Sequence, residues 1–532
     1  MSRGRPGDPS PLLAVAACGA LLTLALPPTG VWPAAAAIAG PFAAVANARS
    51  GRRAFGVGFW AGLPFFAVYL AWLPASLGDL LGPAFWAVFP LLVLALACVW
   101  GATSWLSWVA SGGGGRRTLW FLPVAWVAVE WARTQGYLAF PWGTLGYAWL
   151  DTPVAQLASV GGVYLLSLLV TVPGALLALP LVTPRTSLGP PTARLLLAPA
   201  AALLGVAAAW VGGSGLEASA EAAMRPPTRL ALLVQGNVDA FGRASGAARD
   251  LETHLDLTRQ AVAEARAAGA PPFDLVVWPE GAVIGYVLDG SPGAALRATI
   301  ASAAPDTAFV VGARAYEESG SYNSLYALAP GGALLGRYDK HYLVPFGERW
   351  PLQSSLPWLY EGVFGLFGLP PLAGTAPGPS PAPLETPLGP VAAFVCYESV
   401  FPQVQRAQVA AGARLLVLGT NDAWFARGDG AEQHFDMGRL RAIETRRWLL
   451  RAGNDGVTAA VDPLGRTVTR LERGVAGTLS APFALEDALT PWVRYGRWAP
   501  VALAAYLAAA LAGLQAARPR GGGRVADRLR RR

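Results

Sequence analysis

Lysine is almost missing from this chain: of its 41 basic residues 40 are arginine, and the single lysine is Lys340. On most surfaces arginine serves as well, so coding bias alone could empty a chain of lysine. The two differ in chemistry, because an ammonium is a compact donor whose pKa responds to burial while a guanidinium stays charged. Lys340 therefore marks a place where arginine would fail, or it stands there by chance. Cysteine is scarce too. Cys18 and Cys98 lie inside apolar runs and leave only Cys396, which excludes a disulfide framework or a thiolate metal cluster. His254, His341 and His434 show no ligand spacing, so neither a metal nor another cofactor is expected. Charge is low at 14%, against 54% hydrophobic residues and a mean hydropathy of +0.40, values outside the range of ordinary soluble proteins. A membrane protein is expected.

Apolar runs fall at about residues 11–26, 31–46, 54–76, 83–110, 118–132, 154–182, 195–212 and 498–517. The first two are shorter than the ~20 residues a span needs, so they are read as poorly tilted, as half-inserted, or as paired in a tight hairpin around Pro27-Pro28. Arg3 and Arg5, Arg49 to Arg53, Arg116 and Arg117, Arg185 and Arg194, and seven arginines after residue 517 occupy alternate loops, whereas the intervening loops hold only Arg133. By the excess of basic residues in cytoplasmic loops, this predicts about eight spans, both termini in the cytoplasm, and the long insert on the outer face. VAAC at 15–18 looks like a lipoprotein cleavage site, but too few apolar residues precede Cys18 for a signal peptide, so the first run is read as a retained span. The basic tail reads as an anchor near anionic lipid and not as a nucleic-acid site.

Three regions follow: a membrane domain over 1–214, an outer domain over 215–490, and a last span with its tail over 491–532. In the insert, strand-length apolar runs such as LALLVQG (230–236), LVVWPE (275–280), AFVVGARA (308–315) and LLVLGTND (415–422) alternate with amphipathic helices. That pattern predicts an α/β layered sheet, mixed in direction because YNSLYALAP, GRYDK and VDPLGR add hairpins. In such sheets functional side chains gather where strands end. LVVWPE ends in Glu280, GRYDK in Lys340 and AAFVC in Cys396, and the three should meet if their strands are neighbours.

A thiol is a strong nucleophile that is mostly protonated near neutral pH, and therefore needs a base. A carboxylate stripped of water suits that task, which points to Glu280. Attack on a carbonyl builds negative charge on oxygen, which a fixed ammonium such as Lys340 and a backbone N–H can hold. Taken singly, a cysteine after a strand is more often core filling, a glutamate after proline a turn residue, and a lysine a surface group. Their joint placement at strand ends favours catalysis.

WPEGAV, DKHYLVPFGERWP and CYESVFP resemble the signature segments of the nitrilase (carbon–nitrogen hydrolase) superfamily, whose catalytic triad is Glu, Lys and Cys. VQGNV, YNS, NDAWF and EWARTQGYLAFPWGTLGY resemble its membrane branch, the apolipoprotein N-acyltransferase family, and the likeness covers nearly the whole chain. It implies an αββα sandwich on a polytopic helical membrane domain. It also implies Glu280 as general base, Lys340 as oxyanion stabiliser and Cys396 as nucleophile. Glu348, Glu398 and Tyr397 match supporting positions, while Trp424 and Asn323 match the pocket. A tryptophan that the family often places shortly after VQGN is absent here, where the chain offers Phe241. The implied activity is acyl transfer from a phospholipid to the N-terminal amine of a diacylglyceryl apolipoprotein, by a monomer in the bacterial cytoplasmic membrane. FGLFGLPPL (364–372) and the loop at 136–149 are expected to line the lipid entrance. A membrane-tethered amidase is the alternative.

Overall fold

Two hydrophobic periods divide the chain, and the computed structural model shows what each builds. It describes residues 10–81, 86, 88–182, 194–238, 246–350, 352–353, 355–367, 374–425 and 428–516. The amino-terminal part is a bundle of apolar helices. Three stretches, Val88–Ala110, Pro153–Leu181 and Leu197–Ala223, are long and apolar enough to cross a bilayer, while Pro11–Ala25, Trp32–Ala46 and Thr118–Ala132 are apolar but shorter. The first two runs do fold back at Pro27-Pro28, where the Val31 N–H donates to the Leu24 carbonyl at 2.8 Å. The run expected over 54–76 divides into helices Gly51–Tyr69 and Leu73–Leu81, and the last run forms helix Ala499–Ala516. Helices Gly51–Tyr69 and Val88–Ala110 pack backbone to backbone. A Cβ on Gly58 would lie 2.4 Å from the Trp100 carbonyl oxygen, so only glycine allows the approach.

Helix Arg194–Ala223 carries the chain past residue 214, and the first strand of the α/β part begins at Arg229. Eleven strands follow: β1 (Arg229–Gln235), β2 (Leu275–Val277), β3 (Ala308–Glu317), β4 (Gly320–Leu328), β5 (Leu334–Asp339), β6 (Ala392–Val395), β7 (Leu416–Thr420), β8 (Leu449–Gly453), β9 (Thr458–Val461), β10 (Thr467–Leu471) and β11 (Gly477–Phe483). They form two sheets, ordered β11-β1-β2-β3-β4-β5 and β10-β9-β8-β7-β6. Both are mixed, with β1-β2-β3 and β6-β7-β8 parallel and hairpin pairs at the edges.

Alternation along each strand sorts the core into layers. Ala231, Leu233 and Val277 of one sheet meet Ala393, Val395, Val417 and Leu450 of the other. Leu232, Val234 and Val276 face outward onto Leu251 and Leu255 of helix Ala247–Ala267. Phe394 and Leu418 face outward onto Val404 of helix Pro402–Ala410 and Leu440 of helix Gly430–Thr445. The result is a helix-sheet-sheet-helix sandwich.

The sandwich and the helical bundle share one core. Phe394, Leu418 and Leu440 belong to the same buried cluster as Trp142, Tyr147, Val163 and Leu166 of the bundle. Helix Gly430–Thr445 lies at that seam, and its polar side chains are spent there. Gln433 donates to the Tyr69 carbonyl at 3.0 Å and accepts from the Trp72 indole at 3.0 Å. Glu444 accepts from the Val163 N–H at 2.9 Å, and Arg441 donates to the Tyr147 hydroxyl at 3.1 Å.

Candidate active site

Glu280 follows β2, Lys340 follows β5 and Cys396 follows β6, so all three candidate residues do sit at strand ends. Neighbouring strands are not what joins them. β3 and β4 separate β2 from β5, and β6 belongs to the other sheet. The ends converge because the two sheets stack face to face. The turn carrying Glu280 passes tightly over β3, where a Cβ on Gly312 would lie 2.0 Å from the Pro279 carbonyl oxygen.

Asn323 of β4 links two of the three. Its side-chain amide donates to Glu280 Oε1 at 2.6 Å and to Glu348 Oε1 at 2.9 Å, and its carbonyl accepts from the Lys340 N–H at 2.8 Å. The Lys340 ammonium, 1% exposed, lies 2.8 Å from Glu348 and 3.4 Å from Glu280. The second Glu280 oxygen accepts from the Asn421 N–H at 2.8 Å. Burial alone would push the ammonium's pKa down, but Glu348 and Glu280 outweigh it and hold it above the ordinary lysine value. Burial likewise would raise Glu348, and Lys340 reverses that and holds it below the usual carboxylate range. The Cys396 thiol goes the other way. Burial raises its pKa first, the Glu280 charge raises it further, and Lys340 offsets only part. The lysine and the thiol are thus both held above their ordinary pKa values, the first by its acidic neighbours and the second by burial.

Cys396 has φ +46°, a left-handed backbone that a non-glycine residue adopts at a cost of about 1–3 kcal/mol. Two buried groups fix it. Glu398 accepts four hydrogen bonds, from Val395 N–H at 2.8 Å, Tyr338 Oη at 2.8 Å, His341 N–H at 2.9 Å and Tyr342 N–H at 3.2 Å, and so ties the cysteine turn to the loop after Lys340. His434 Nε2 lies 3.0 Å from the Cys396 carbonyl oxygen and 2.7 Å from Ser399 Oγ. Its Nδ1 lies 3.0 Å from Asp422, which Arg451 bridges at 2.5 Å.

The donor atoms of Cys396, Asp422 and His434 all fall within 4.8 Å of one another. That set does not suit a cation, because the Arg451 guanidinium already neutralises Asp422 and lies 3.1 Å from His434 Nδ1.

Tyr397 points toward the bundle. Its hydroxyl donates to the Ala139 carbonyl at 2.6 Å, and its ring stacks on Trp142 at 5.8 Å. The loop at 136–149 therefore packs directly beside the cysteine turn, and the Arg349 guanidinium covers the Tyr137 ring at 3.6 Å. Trp424 is half-buried in the turn Asp422–Phe425. Phe241 and residues 368–372 of the expected entrance lie outside the described residues. Asn421, Asp422, His434 and Arg451 escaped the sequence reading as site residues, although NDAWF drew notice as a motif. His434 stands 38 positions after Cys396 on a helix, with no spacing to betray the contact.

An αββα sandwich whose stacked sheets gather Glu, Lys and Cys defines a carbon–nitrogen hydrolase domain, here carried on apolar helices. Residues 231–489 match the carbon-nitrogen hydrolase family, and residues 18–176 match the apolipoprotein N-acyltransferase N-terminal domain. The apolipoprotein N-acyltransferase of Geobacter metallireducens is 33% identical over 510 residues, covering 92% of this chain and 93% of that one. The one from Azotobacter vinelandii is 34% identical over 518 residues, covering 94% and 95%. The chain belongs to the apolipoprotein N-acyltransferase family.

Proposed function

We propose that the chain transfers an acyl chain from a phospholipid to the α-amino group of an apolipoprotein's diacylglyceryl-cysteine, through a thioester on Cys396. The observation that carries this reading is the convergence of Glu280, Lys340 and Cys396 in one buried cluster. Glu280 takes the thiol proton as Sγ attacks the ester carbonyl of the donor's sn-1 chain. Lys340 and the Tyr397 N–H hold the resulting oxyanion. The C–O bond breaks, Glu280 returns the proton to the departing alkoxide, and a lysophospholipid leaves. The acceptor amine then attacks the thioester, Glu280 takes its proton and passes it to sulfur, and the C–S bond breaks to leave an amide. Because the thiol is held above its ordinary pKa, it surrenders its proton only as the carbonyl engages. Burial of the cluster excludes water, the competing acceptor.

About eight spans, with both termini inside and the sandwich outside, rest on the alternation of arginine-rich loops; placement in the bacterial cytoplasmic membrane follows the family resemblance, and action as a monomer goes with this reading. The loop at 136–149 beside Tyr397 supports entry of lipid-anchored substrates from the bilayer. The test is mass spectrometry of the purified chain with phospholipid. A hydroxylamine-labile acyl adduct on Cys396 that is absent in Cys396→Ala is expected, and no adduct under any condition would sink the reading. Turnover of water-soluble amides without phospholipid would point instead to an amidase.

A further inference from the structure

Away from the cysteine site, a cleft of about 180 Å³ opens where four parts of the chain meet. Trp131 lines it from the end of helix Thr118–Ala132, Tyr164 from helix Ala158–Ala178, Gln403 and Arg406 from helix Pro402–Ala410, and Trp492 and Arg497 from the segment leading into helix Ala499–Ala516. None of Glu280, Lys340 or Cys396 reaches it.

The lining holds two guanidinium groups and one buried indole N–H. Arg406 makes no hydrogen bond or ion pair among the described residues. It shares the cleft wall with Arg497, and burial, then the like charge of Arg497, lower its pKa. Among the described residues the Arg497 guanidinium makes one contact, over the neighbouring Trp498 ring at 5.3 Å. Trp492 is 3% exposed, and its indole N–H has no acceptor among the described residues. Glu444, the carboxylate whose charge acts on Arg406, is engaged with Arg441 and the Val163 N–H. Two cations with no carboxylate partner among the described residues, on a cleft that a buried indole also lines, call for an anion with several acceptor oxygens.

The setting selects the kind of anion. The cleft lies where one apolar helix ends and another begins. Tyr495 and Trp498, 65% and 55% exposed, stand beside it as aromatic residues do at a bilayer interface, and Val501 and Tyr506 continue the exposed apolar surface along helix Ala499–Ala516. A free phosphate would have no use for that apolar flank, whereas a lipid would fill both parts.

We infer that Arg406 and Arg497 hold the phosphodiester of a bilayer phospholipid, with its acyl chains along helix Ala499–Ala516, at a site separate from the one that holds Cys396. Such a lipid would clamp the last helix to the seam. Gln403 at the cleft donates to Tyr342 Oη at 3.1 Å, Tyr342 stacks on Phe401 at 4.4 Å, and Phe401 packs on Tyr397 at 5.1 Å, so its occupancy would be felt beside the cysteine turn.

The probe is phosphatidylglycerol carrying a diazirine on its headgroup, added in small proportion to vesicles holding the full chain, with the labelled peptides read by mass spectrometry. Label is expected on the peptides containing Trp131 to Gln135 and Trp492 to Arg497. It should fall about tenfold in Arg406→Gln/Arg497→Gln, about threefold in Arg497→Gln alone, and persist in Arg406→Lys/Arg497→Lys. Arg497 is exposed, so its single variant carries the test should the double variant melt early. Labelling that is unchanged by either glutamine variant would overturn the inference. So would loss of the label on adding millimolar inorganic phosphate, which would make this a site for the free anion.

Discussion

The Lys340 ammonium lies 2.8 Å from Glu348, nearer than the 3.4 Å that separates it from Glu280. Glu348 is thus the nearer counter-ion of Lys340, which fits the proton-carrying role proposed for Glu280. Replacing Glu348 by Gln removes that counter-ion while keeping its shape and a hydrogen-bonding oxygen. An oxyanion-type defect of about 3 kcal/mol corresponds to a kcat lowered roughly a hundredfold with little change in KM. Acyl-enzyme formation followed by mass spectrometry checks this, and a near-normal rate in a folded Glu348→Gln chain would rule it out.

His434 holds the left-handed turn at Cys396 through the carbonyl oxygen and Ser399. His434→Ala leaves Asp422 and Arg451 paired but frees the cysteine backbone, so about 1–3 kcal/mol of stability should go. The burst of acyl-enzyme should slow by more than the loss of folded protein explains. His434→Gln, which can still donate to the Cys396 carbonyl, should recover part of that rate; equal burst rates in all three proteins would remove His434 from the positioning of the nucleophile.

Tyr397→Phe deletes one hydrogen bond, from the hydroxyl to the Ala139 carbonyl, and leaves the stack on Trp142. A neutral hydrogen bond of this kind contributes about 1 kcal/mol, so transfer to a membrane-bound acceptor should fall roughly fivefold. Formation of the acyl-enzyme from a short-chain ester in detergent should change less, because that reaction does not need the loop to guide a lipid.

The seam helix carries two acids with raised pKa values, Glu444 at about 7 and Asp436 at about 6, and burial is the largest cause in both. Each holds its proton more tightly folded than unfolded. Their contribution is therefore full below the unfolded carboxylate values near 4 and is lost as pH rises through about 6 to 7. Thermal melting in detergent should show a midpoint that falls between about pH 5 and pH 8, with a shallower slope in Glu444→Gln. A midpoint that climbs over that interval would contradict the assignment.

Much of the site could be read from residue order alone. Glu280, Lys340 and Cys396 each end a recognisable strand, and Asn323, Glu348 and Glu398 sit in short motifs that drew notice. The mixed direction of the sheets followed from the hairpin segments. What residue order could not supply was the stacking of sheets, because no periodicity says that the end of β6 faces the ends of β2 and β5. Asp422, His434 and Arg451 were hidden for the same reason, since they meet only after three separate elements pack. Helix Gly430–Thr445 is equally opaque in sequence. Its buried Gln433, Arg441 and Glu444 look like a solvent face until the bundle covers them. Apolar length misled at 54–76, where a break at Leu70 to Trp72 divides one run into two helices.

That shared helix bears on any attempt to isolate the chemistry in solution. One flank of Gly430–Thr445 closes the sandwich and the other is covered by Tyr69, Tyr147 and Val163. A fragment beginning near Arg229 would lay bare both an apolar face and the ion pair of Arg441 with Glu444. The helical bundle is thus the missing wall of the sandwich, and excising it should yield aggregate.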